Sequence, residues 1–341
     1  MSAKEGSRVR AAIHGGDGSG PAGRGTMGGG RPPDRLSAAP VGAGRLDDDN
    51  DDEDEDRMTG DTASARSDDS RPGFIDELRE LADRLATSGG EVARRMLAEF
   101  EGQGLGARSK SSATDPVTVI DTSVENHLRG EITAHRPGDT VLGEETGEAP
   151  GSGAASRVRW VVDPVDGTVN LLYGIPFTAV SVAAELDGVV VVGAVHNIVT
   201  RETWTAALDR GATLRAADGQ VTTLGVSGCD DLSLALVGTG FSYDAKLRAE
   251  QGRAVAALLP AVRDIRRCGS AALDLCMLAT GRLDAYYERC LKPWDYAAGG
   301  LIAAESGAIV STSRDDAVPT VAAGPGVSEA FRQALRDCGA L

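Results

Sequence analysis

The 341-residue chain has little of what marks membrane or secreted proteins. No apolar run approaches the roughly 20 residues of a membrane-spanning helix, and the N-terminus has no apolar core of a secretory signal. Aromatic residues make up only 4% of the chain, and the five cysteines show no CxxC spacing. Thiols in this pattern indicate reduced packing residues rather than disulfides or a zinc site.

Clustered positive charge is also scarce. The net charge of −16 disfavours nucleic acids and acidic membranes as partners, because both attract basic surfaces. Together these absences predict a cytoplasmic protein with no membrane contact and no direct nucleic-acid binding.

Residues 1–72 differ in composition from the rest of the chain. A Gly-, Arg- and Pro-rich stretch precedes the acidic run DDDNDDEDED at 47–56, and hydrophobic periodicity is missing. Without apolar surface to bury, a segment cannot offset its conformational entropy, so we predict a disordered tail. Two alternatives stay open: a regulatory tail that binds a basic partner or cations, and a translation start at Met27 or Met58.

We predict a folded domain over residues 73–341, with an α+β half at 73–230 and an α/β half at 231–341. Apolar residues at helical spacing from Phe74 to Leu97 predict one or two amphipathic helices. Asp121 and Thr122 are expected to cap the next helix. The turn at Asp187–Gly188 predicts a β-hairpin and hence an antiparallel sheet.

Acidic residues recur at junctions between predicted elements. They are Glu144 and Glu145 in LGEET, Asp163 and Asp166 in DPVDGT, and Asp295 in KPWDYAAG. Taken singly, such motifs are more often solvated turns or helix caps, with Asp295 as a candidate N-cap. If they converge, an all-oxygen cluster suits a hard cation such as Mg²⁺.

The stretch around Asp163 and Asp166 offers more than carboxylates. Pro164 kinks the chain and frees the Val165 carbonyl as a further oxygen ligand, and Gly167 with Thr168 could open a helix whose N–H groups hold an anion. A cation site beside an anion site is what phosphoryl-group chemistry requires.

The segments GEE, DPVDGTVNLLYGIP and WDYAAGGLIAAESGA, in this order, resemble the signatures of the inositol monophosphatase family of Mg²⁺-dependent phosphatases. KSSATDPVTVIDTSVE resembles its mobile loop and following helix, and DIRRCGSAALDLCMLATGRLDAYYE its substrate-contact segment. The resemblance covers Phe74 to the C-terminus and is greatest to bacterial inositol-1-monophosphatases. It implies a layered α-β-α-β-α sandwich, of the type shared with fructose-1,6-bisphosphatases.

The resemblance also implies roles for matching residues. Two or three Mg²⁺ would be bound by Glu144, Asp163, the Val165 carbonyl, Asp166 and Asp295. Glu144 and Thr168 would orient the attacking water, with Asp121 hydrogen-bonded to the Thr168 hydroxyl. Backbone N–H groups of Gly167 and Thr168 would hold the phosphate. The substrate contacts would be Glu288, Gly269, Ser270, Ala271, Asp166 and Asp295, and Lys110 would lie on the mobile loop.

The predicted function is Mg²⁺-dependent hydrolysis of a phosphate monoester, with myo-inositol 1-phosphate as the first candidate. Histidinol phosphate, fructose 1,6-bisphosphate, glycerol phosphate and other polyol phosphates remain alternatives on the same scaffold. A non-catalytic interaction protein in transcription or RNA processing is the second alternative. The resemblance further implies a homodimer and inhibition by lithium.

Overall fold

The computed structural model describes residues 73–100, 108–109, 116–152 and 156–341. The predictions for the tail, for a start at Met27 or Met58 and for Lys110 lie outside these residues. The helices are α1 (Phe74–Glu99), α2 (Val119–His135), α3 (Thr168–Tyr173), α4 (Ala245–Leu258), α5 (Ala271–Ala279), α6 (Pro293–Glu305) and α7 (Ser328–Asp337). Short 3₁₀ turns cover Leu232–Leu234 and Leu259–Ala261.

The strands carry most of the architecture. They are β1 (Arg108–Ser109), β2 (Pro116–Val117), β3 (Thr140–Gly143), β4 (Gly147–Ala149), β5 (Val158–Asp166), β6 (Ala179–Leu186), β7 (Val189–Asn197), β8 (Thr203–Ala207), β9 (Ala212–Arg215), β10 (Val221–Thr223), β11 (Leu236–Thr239), β12 (Asp264–Arg266), β13 (Ala285–Glu288), β14 (Ile309–Ser311) and β15 (Thr320–Ala323).

Two sheets dominate the described residues. The first has eight strands in the order β10-β9-β8-β7-β6-β5-β3-β4, antiparallel except where β3 runs parallel to β5. The predicted hairpin at Asp187–Gly188 is confirmed as the β6–β7 turn. The second sheet has five strands in the order β12-β11-β13-β15-β14, and β11 is parallel to both of its neighbours. A separate pair joins β1 to β2.

Helices cover both faces of each sheet. α1 and α2 pack on one face of the eight-stranded sheet, and α5 and α6 lie between the two sheets. α4 and α7 cover the far face of the five-stranded sheet through Leu258, Phe331 and Leu335. The expected α-β-α-β-α sandwich is therefore confirmed. The division into halves at residue 230 remains a prediction.

Strand β5 shows why the sequence WVV is apolar without alternation. Trp160 and Val162 face the core under α1 and α2, whereas Val161 faces the core under α5 and α6. A strand covered on both faces needs apolar residues at every position. The strand also continues beyond the point where the sequence suggested a break, because its register shifts between Asp163 and Asp166. Pro164 is tolerated inside this irregularity, where ladder hydrogen bonds are interrupted.

Capping at two helix starts agrees only in part with expectation. Asp121 supplies capping chemistry as expected, but from the third helical position, where it completes a capping box with the N-cap Thr118 of α2; Thr122 takes no part in this box. Asp295 likewise occupies the third position of α6, after the N-cap Lys292 and Pro293. In both helices the acid accepts a hydrogen bond from the N-cap backbone while one of its oxygens remains for other contacts.

All five cysteines are free thiols, and Cys276 is buried. None of the helices in the described ranges combines the length and the apolar character needed to cross a bilayer.

Candidate active site

Three junctions bring the predicted acids together. Glu144 follows the end of β3, Asp163 and Asp166 flank the irregularity in β5, and Asp295 lies in the first turn of α6. β3 and β5 are parallel neighbours, with Gly143 opposite Val162, so their carboxyl ends share one edge of the sheet. The fold thereby collects four acids that span about 150 residues of sequence.

The proximity of these acids is reflected in their pKa values. Burial raises the pKa of Asp163 well above its ordinary value, and the charges of Glu144, Asp166 and Asp295 raise it further. Burial also raises the pKa of Asp295 well above its ordinary value, and the negative charges of Asp166 and Glu144 raise it further. Burial also raises the pKa of Asp166 to about 6, although hydrogen bonds from Ser270 and Ala272 oppose this shift. The acids therefore repel each other in a poorly solvated place.

Local donors orient each carboxylate. The Val165 N–H donates to Asp163 Oδ1 at 3.0 Å, and the Lys292 N–H donates to Asp295 Oδ2 at 2.6 Å. Asp166 Oδ2 accepts from the Ser270 hydroxyl and the Ala272 N–H, both at 2.7 Å. The four acids are close neighbours, but among the described residues no three His, Cys, Asp or Glu side chains are spaced to coordinate a single metal ion as the structure stands.

The donor set nevertheless fits a hard divalent cation. The charges of Glu144, Asp166 and Asp295 all raise the pKa of the buried Asp163, so negative charge converges on this carboxylate. A divalent cation among these acids would offset the repulsion, and oxygen ligands are those that Mg²⁺ prefers. Asp163, Glu144, Asp166 and Asp295 would hold it.

Thr168 and Asp121 are in contact, as the resemblance implies. Thr168 Oγ1 lies 2.8 Å from Asp121 Oδ1 and 3.1 Å from the Val165 carbonyl, so its single proton can serve either acceptor. Asp121 is fully buried and its other oxygen accepts from Thr118. The hydroxyl is thus held between two acceptors beside the acids.

Gly167 precedes Thr168 and adopts a φ of 92°. A side chain there would place its Cβ 2.9 Å from the Phe177 carbonyl oxygen, so only glycine fits both the backbone and the space. Helix α3, which follows, has only six residues. The phosphate-binding role of the Gly167 and Thr168 N–H groups stays a prediction.

Glu125 is a further buried acid, which the sequence analysis did not single out, and it supports the turn that carries Glu144. Glu125 of α2 is fully buried and accepts from the backbone N–H groups of Glu145 at 2.7 Å and Thr146 at 3.1 Å. Arg129 donates to the same carboxylate at 2.9 Å. A Cβ on Gly143 would lie 2.5 Å from that carboxyl carbon, which explains the glycine in LGEET.

Glu125→Ala should therefore cost roughly 3–5 kcal/mol of folding free energy, because it removes the carboxylate partner of Arg129 and leaves the Glu145 and Thr146 N–H groups and the Thr146 hydroxyl without their acceptor. Chemical denaturation measures that loss. We also expect slower turnover in the predicted hydrolysis of a phosphate monoester at temperatures where the variant is folded, since the turn carrying Glu144 loses its anchor. Glu125→Gln keeps the shape and should lose less of both. Full turnover in folded Glu125→Ala would contradict a role in placing Glu144.

A cavity of about 620 Å³ opens beside the acids. Its walls include the predicted residues Asp166, Gly167, Gly269, Ala271, Glu288 and Asp295. Ser270 does not line it, contrary to expectation: its side chain is buried, donates to Asp166 and accepts from the Leu273 N–H at 3.3 Å, which caps α5.

Glu288 ends β13 and faces this cavity. Its Oε2 accepts from the Tyr286 hydroxyl at 2.6 Å, and its carboxylate lies against Gly240, where a Cβ would come within 2.0 Å. Burial raises the pKa of Glu288 to about 7, although Tyr286 and Arg267 oppose the shift. Near neutral pH Glu288 is therefore present both as a carboxylate, which only accepts hydrogen bonds, and as a protonated carboxyl group, which can also donate one.

Glu288→Gln should change stability in a pH-dependent way in metal-free protein. The unfolded chain releases the proton near the ordinary pKa of 4.5, whereas the folded chain keeps it to about 7. Stability of the wild type consequently falls as pH rises through this window, and an amide avoids the loss. At pH 8 we expect the variant to be more stable by about 2 kcal/mol, a value reduced for the open side of the cavity.

Urea denaturation at pH 4.5 and pH 8 measures this difference. Glu329→Gln, which changes an exposed acid of α7, is the control and should show no such change. A gap between Glu288→Gln and wild type that is the same at both pH values would show that burial does not retain the Glu288 proton.

Two further residues near the cavity were not foreseen. Arg267 lines it and lies 6.0 Å from the Phe241 ring centroid. Asp274 of α5 is buried, and neither of its oxygens has a regular hydrogen-bond partner in the described structure. Burial, and then the charges of Glu288 and Asp166, raise the pKa of Asp274, while the nearby Cys268 thiol opposes the shift. The sequence did offer a signal for Asp274, because it is the one acid inside the otherwise apolar helix sequence AALDLCML.

Comparisons with known proteins place this chain among the phosphoric monoester hydrolases. The model of the Inositol monophosphatase family matches residues 75–336. The chain therefore belongs to the inositol monophosphatase family, whose members are generally metal-dependent.

Individual relatives agree with this assignment. The inositol-1-monophosphatase of Mycobacterium leprae (strain TN) is 49% identical over 284 residues, which cover 78% of this chain and 96% of that protein. The solved structure of Mycobacterium tuberculosis SuhB is 44% identical with a TM-score of 0.68, and the match covers 78% of this chain and 98% of that one. Nus factor SuhB of Vibrio cholerae is 36% identical over 237 residues, covering 68% of this chain and 86% of that protein.

Proposed function

We propose that this protein hydrolyses a phosphate monoester with the help of Mg²⁺, by in-line attack of water, and that myo-inositol 1-phosphate is its substrate. The observation that supports this most strongly is the convergence of Asp163, Asp166 and Asp295 with Glu144 at the edge of a polar cavity. The similarity to a protein named inositol-1-monophosphatase supports the choice of substrate.

The carboxylates of Glu144, Asp163, Asp166 and Asp295, with the Val165 carbonyl, would hold two or three Mg²⁺. Bound Mg²⁺ supplies positive charge that makes water a better nucleophile and stabilises the departing alkoxide. Glu144 and Thr168 would orient the attacking water, and Asp121 fixes the Thr168 hydroxyl at 2.8 Å. The N–H groups of Gly167 and Thr168 would hold the phosphate oxygens.

The other side of the cavity would bind the alcohol part of the substrate. Glu288 would accept hydrogen bonds from polyol hydroxyl groups, with Gly269 and Ala271 forming the wall. Asp166 and Asp295 reach the same cavity and would contact the hydroxyls nearest the phosphate. A pocket that pairs buried polar groups with hydroxyls discriminates strongly against analogues that lack them.

A panel of phosphomonoesters tests the proposal. Purified full-length protein is assayed for phosphate release from myo-inositol 1-phosphate, histidinol phosphate, fructose 1,6-bisphosphate and glycerol 2-phosphate, with Mg²⁺ and with EDTA. We expect release that needs Mg²⁺ and is fastest with myo-inositol 1-phosphate. No EDTA-sensitive release from any compound would refute the enzyme assignment, and a faster alternative would replace the substrate.

A second candidate rests on the similarity to Nus factor SuhB. In that case the chain would be a non-catalytic interaction protein that acts through a partner in transcription or RNA processing. For either function we propose a homodimer in the cytoplasm. The two functions separate experimentally: a variant that loses phosphatase turnover but supports growth in place of the wild type would favour the partner function.

A further inference from the structure

A second cavity, of about 410 Å³, lies away from the acids on the α1 side of the eight-stranded sheet. Three arginines line it: Arg94 of α1, Arg201 of the β7–β8 turn and Arg215 at the end of β9. Such a concentration of guanidinium groups is unexpected in a chain with a net charge of −16. Among the charged lining residues in the part of the chain that the structure describes, only Glu91 is acidic.

Two of these arginines are fixed in place. Arg94 Nη1 donates to the Ile198 carbonyl at 3.0 Å and to His196 Nε2 at 2.9 Å. Because a guanidinium can only donate, His196 Nε2 accepts, and the ring carries its proton on Nδ1, 2.8 Å from Thr203 Oγ1. Arg215 is held by Asp83 and Thr87.

Arg201 differs from the other two. Its side chain is exposed and takes part in no hydrogen bond or ion pair with any residue that the structure describes. Its φ of 62° is uncommon for a residue other than glycine, and such strained positions concentrate at functional sites. Asn197 Oδ1 shapes the turn by accepting from the Val199 and Thr200 N–H groups at 2.9 Å.

The arginines repel one another across the cavity. Burial lowers the pKa of Arg94, and the charge of Arg201 lowers it further. Burial and then the charges of Arg94, Arg215 and Arg201 lower the pKa of His196 to about 4, so the imidazole stays neutral at physiological pH. Glu91 opposes the shift at Arg94 and Asp83 pairs with Arg215, but three arginines against these two acids leave an excess of positive charge that an anion would offset.

We propose that the cavity formed by Arg94, Arg201 and Arg215 is a second binding site, separate from the active site, for a phosphate group. Planar guanidinium forks match phosphate oxygens and bind them with charge-assisted hydrogen bonds. The volume accepts either inorganic phosphate or a small phosphomonoester. The neutral His196 and the fixed Arg94 form the floor, and Arg201 closes over the anion from the rim.

Isothermal titration calorimetry of full-length protein with inorganic phosphate tests this in EDTA, where repulsion by the active-site acids disfavours phosphate there. We expect one phosphate per chain. Arg201→Gln should weaken binding at least about tenfold, or roughly 1.4 kcal/mol. Arg215→Gln, on another element, should weaken it similarly, whereas Arg253→Gln on the exposed face of α4 should not. Circular dichroism and thermal unfolding verify that each variant is folded.

Glycerol 2-phosphate in the same titration distinguishes the two sources of phosphate. Tighter binding than inorganic phosphate assigns the site to phosphomonoesters, and equal or weaker binding assigns it to free phosphate. Absence of binding to wild type, or unchanged binding to Arg201→Gln, would overturn the proposal. Phosphatase turnover of Arg201→Gln should stay at the wild-type level, so failure here leaves the proposed reaction untouched.

Discussion

Asp163→Asn should reduce phosphatase turnover by at least about 10²-fold and, at the same time, stabilise the metal-free protein. Changes to residues that merely support a metal ligand already cost 10- to 100-fold, roughly, in activity, so loss of a ligand should cost more. The stabilisation follows because Asp163 is buried among three other acids that raise its pKa. An amide keeps the acceptor for the Val165 N–H without carrying the charge.

The sign of the stability effect depends on pH. The folded protein holds the Asp163 proton to a higher pH than the unfolded chain, so stability is lost as pH rises above the ordinary value of 3.8. At pH 8 in EDTA the Asn variant should therefore unfold at a higher urea concentration than the wild type, because it carries no charge among the other acids. Adding Mg²⁺ should stabilise the wild type more than the variant.

Glu185→Gln is the matched control for Asp163→Asn. Glu185 lies on the neighbouring strand β6 and is equally buried, but Arg159 Nη2 pairs with it at 2.6 Å. Its substitution should destabilise the protein and leave turnover near wild type. If Asp163→Asn destabilised metal-free protein as Glu185→Gln does, the four acids would not repel one another as described.

The sequence predicted local elements better than the contacts between them. The β6–β7 hairpin follows from turn chemistry at Asp187–Gly188, which involves neighbouring residues only. The apolar spacing after Phe74 left open whether one or two helices follow. The structure has one helix, and its glycines allow close approach: a Cβ on Gly90 would lie 2.3 Å from His196 Cδ2.

Contacts between distant residues were predictable only through the resemblance. The acids of GEE, DPVDGT and WDYAAG were chosen because each borders a turn or helix, yet nothing local shows that they converge. Ser270 was expected in the substrate pocket, but its hydroxyl points instead to Asp166, 104 positions earlier. Glu125 gave no signal, since an acid on an amphipathic helix usually faces solvent, whereas this one is buried against Gly143.

Thr168→Val should lower turnover by about 10²-fold, the scale of one positioned proton-handling group. Valine keeps the shape of threonine but removes the hydroxyl that donates to Asp121 Oδ1 or to the Val165 carbonyl. The buried Asp121 carboxylate loses a donor, so the free energy of unfolding should also fall by about 1–3 kcal/mol. Thr168→Ser restores the hydroxyl and should recover most of both quantities.

Thr118→Val is the control that separates the role of the Thr168 hydroxyl in the reaction from its contribution to stability. It removes the hydroxyl that donates to the other oxygen of Asp121 and caps α2, which should cost about 1 kcal/mol of stability. The Thr168 hydroxyl and its contact with Asp121 remain, so turnover should stay within a few-fold of wild type. Steady-state kinetics with Mg²⁺ and urea denaturation of the three variants give both quantities. Equal losses of turnover in Thr118→Val and Thr168→Val would mean that anchoring Asp121, and not the Thr168 hydroxyl itself, is what the reaction requires.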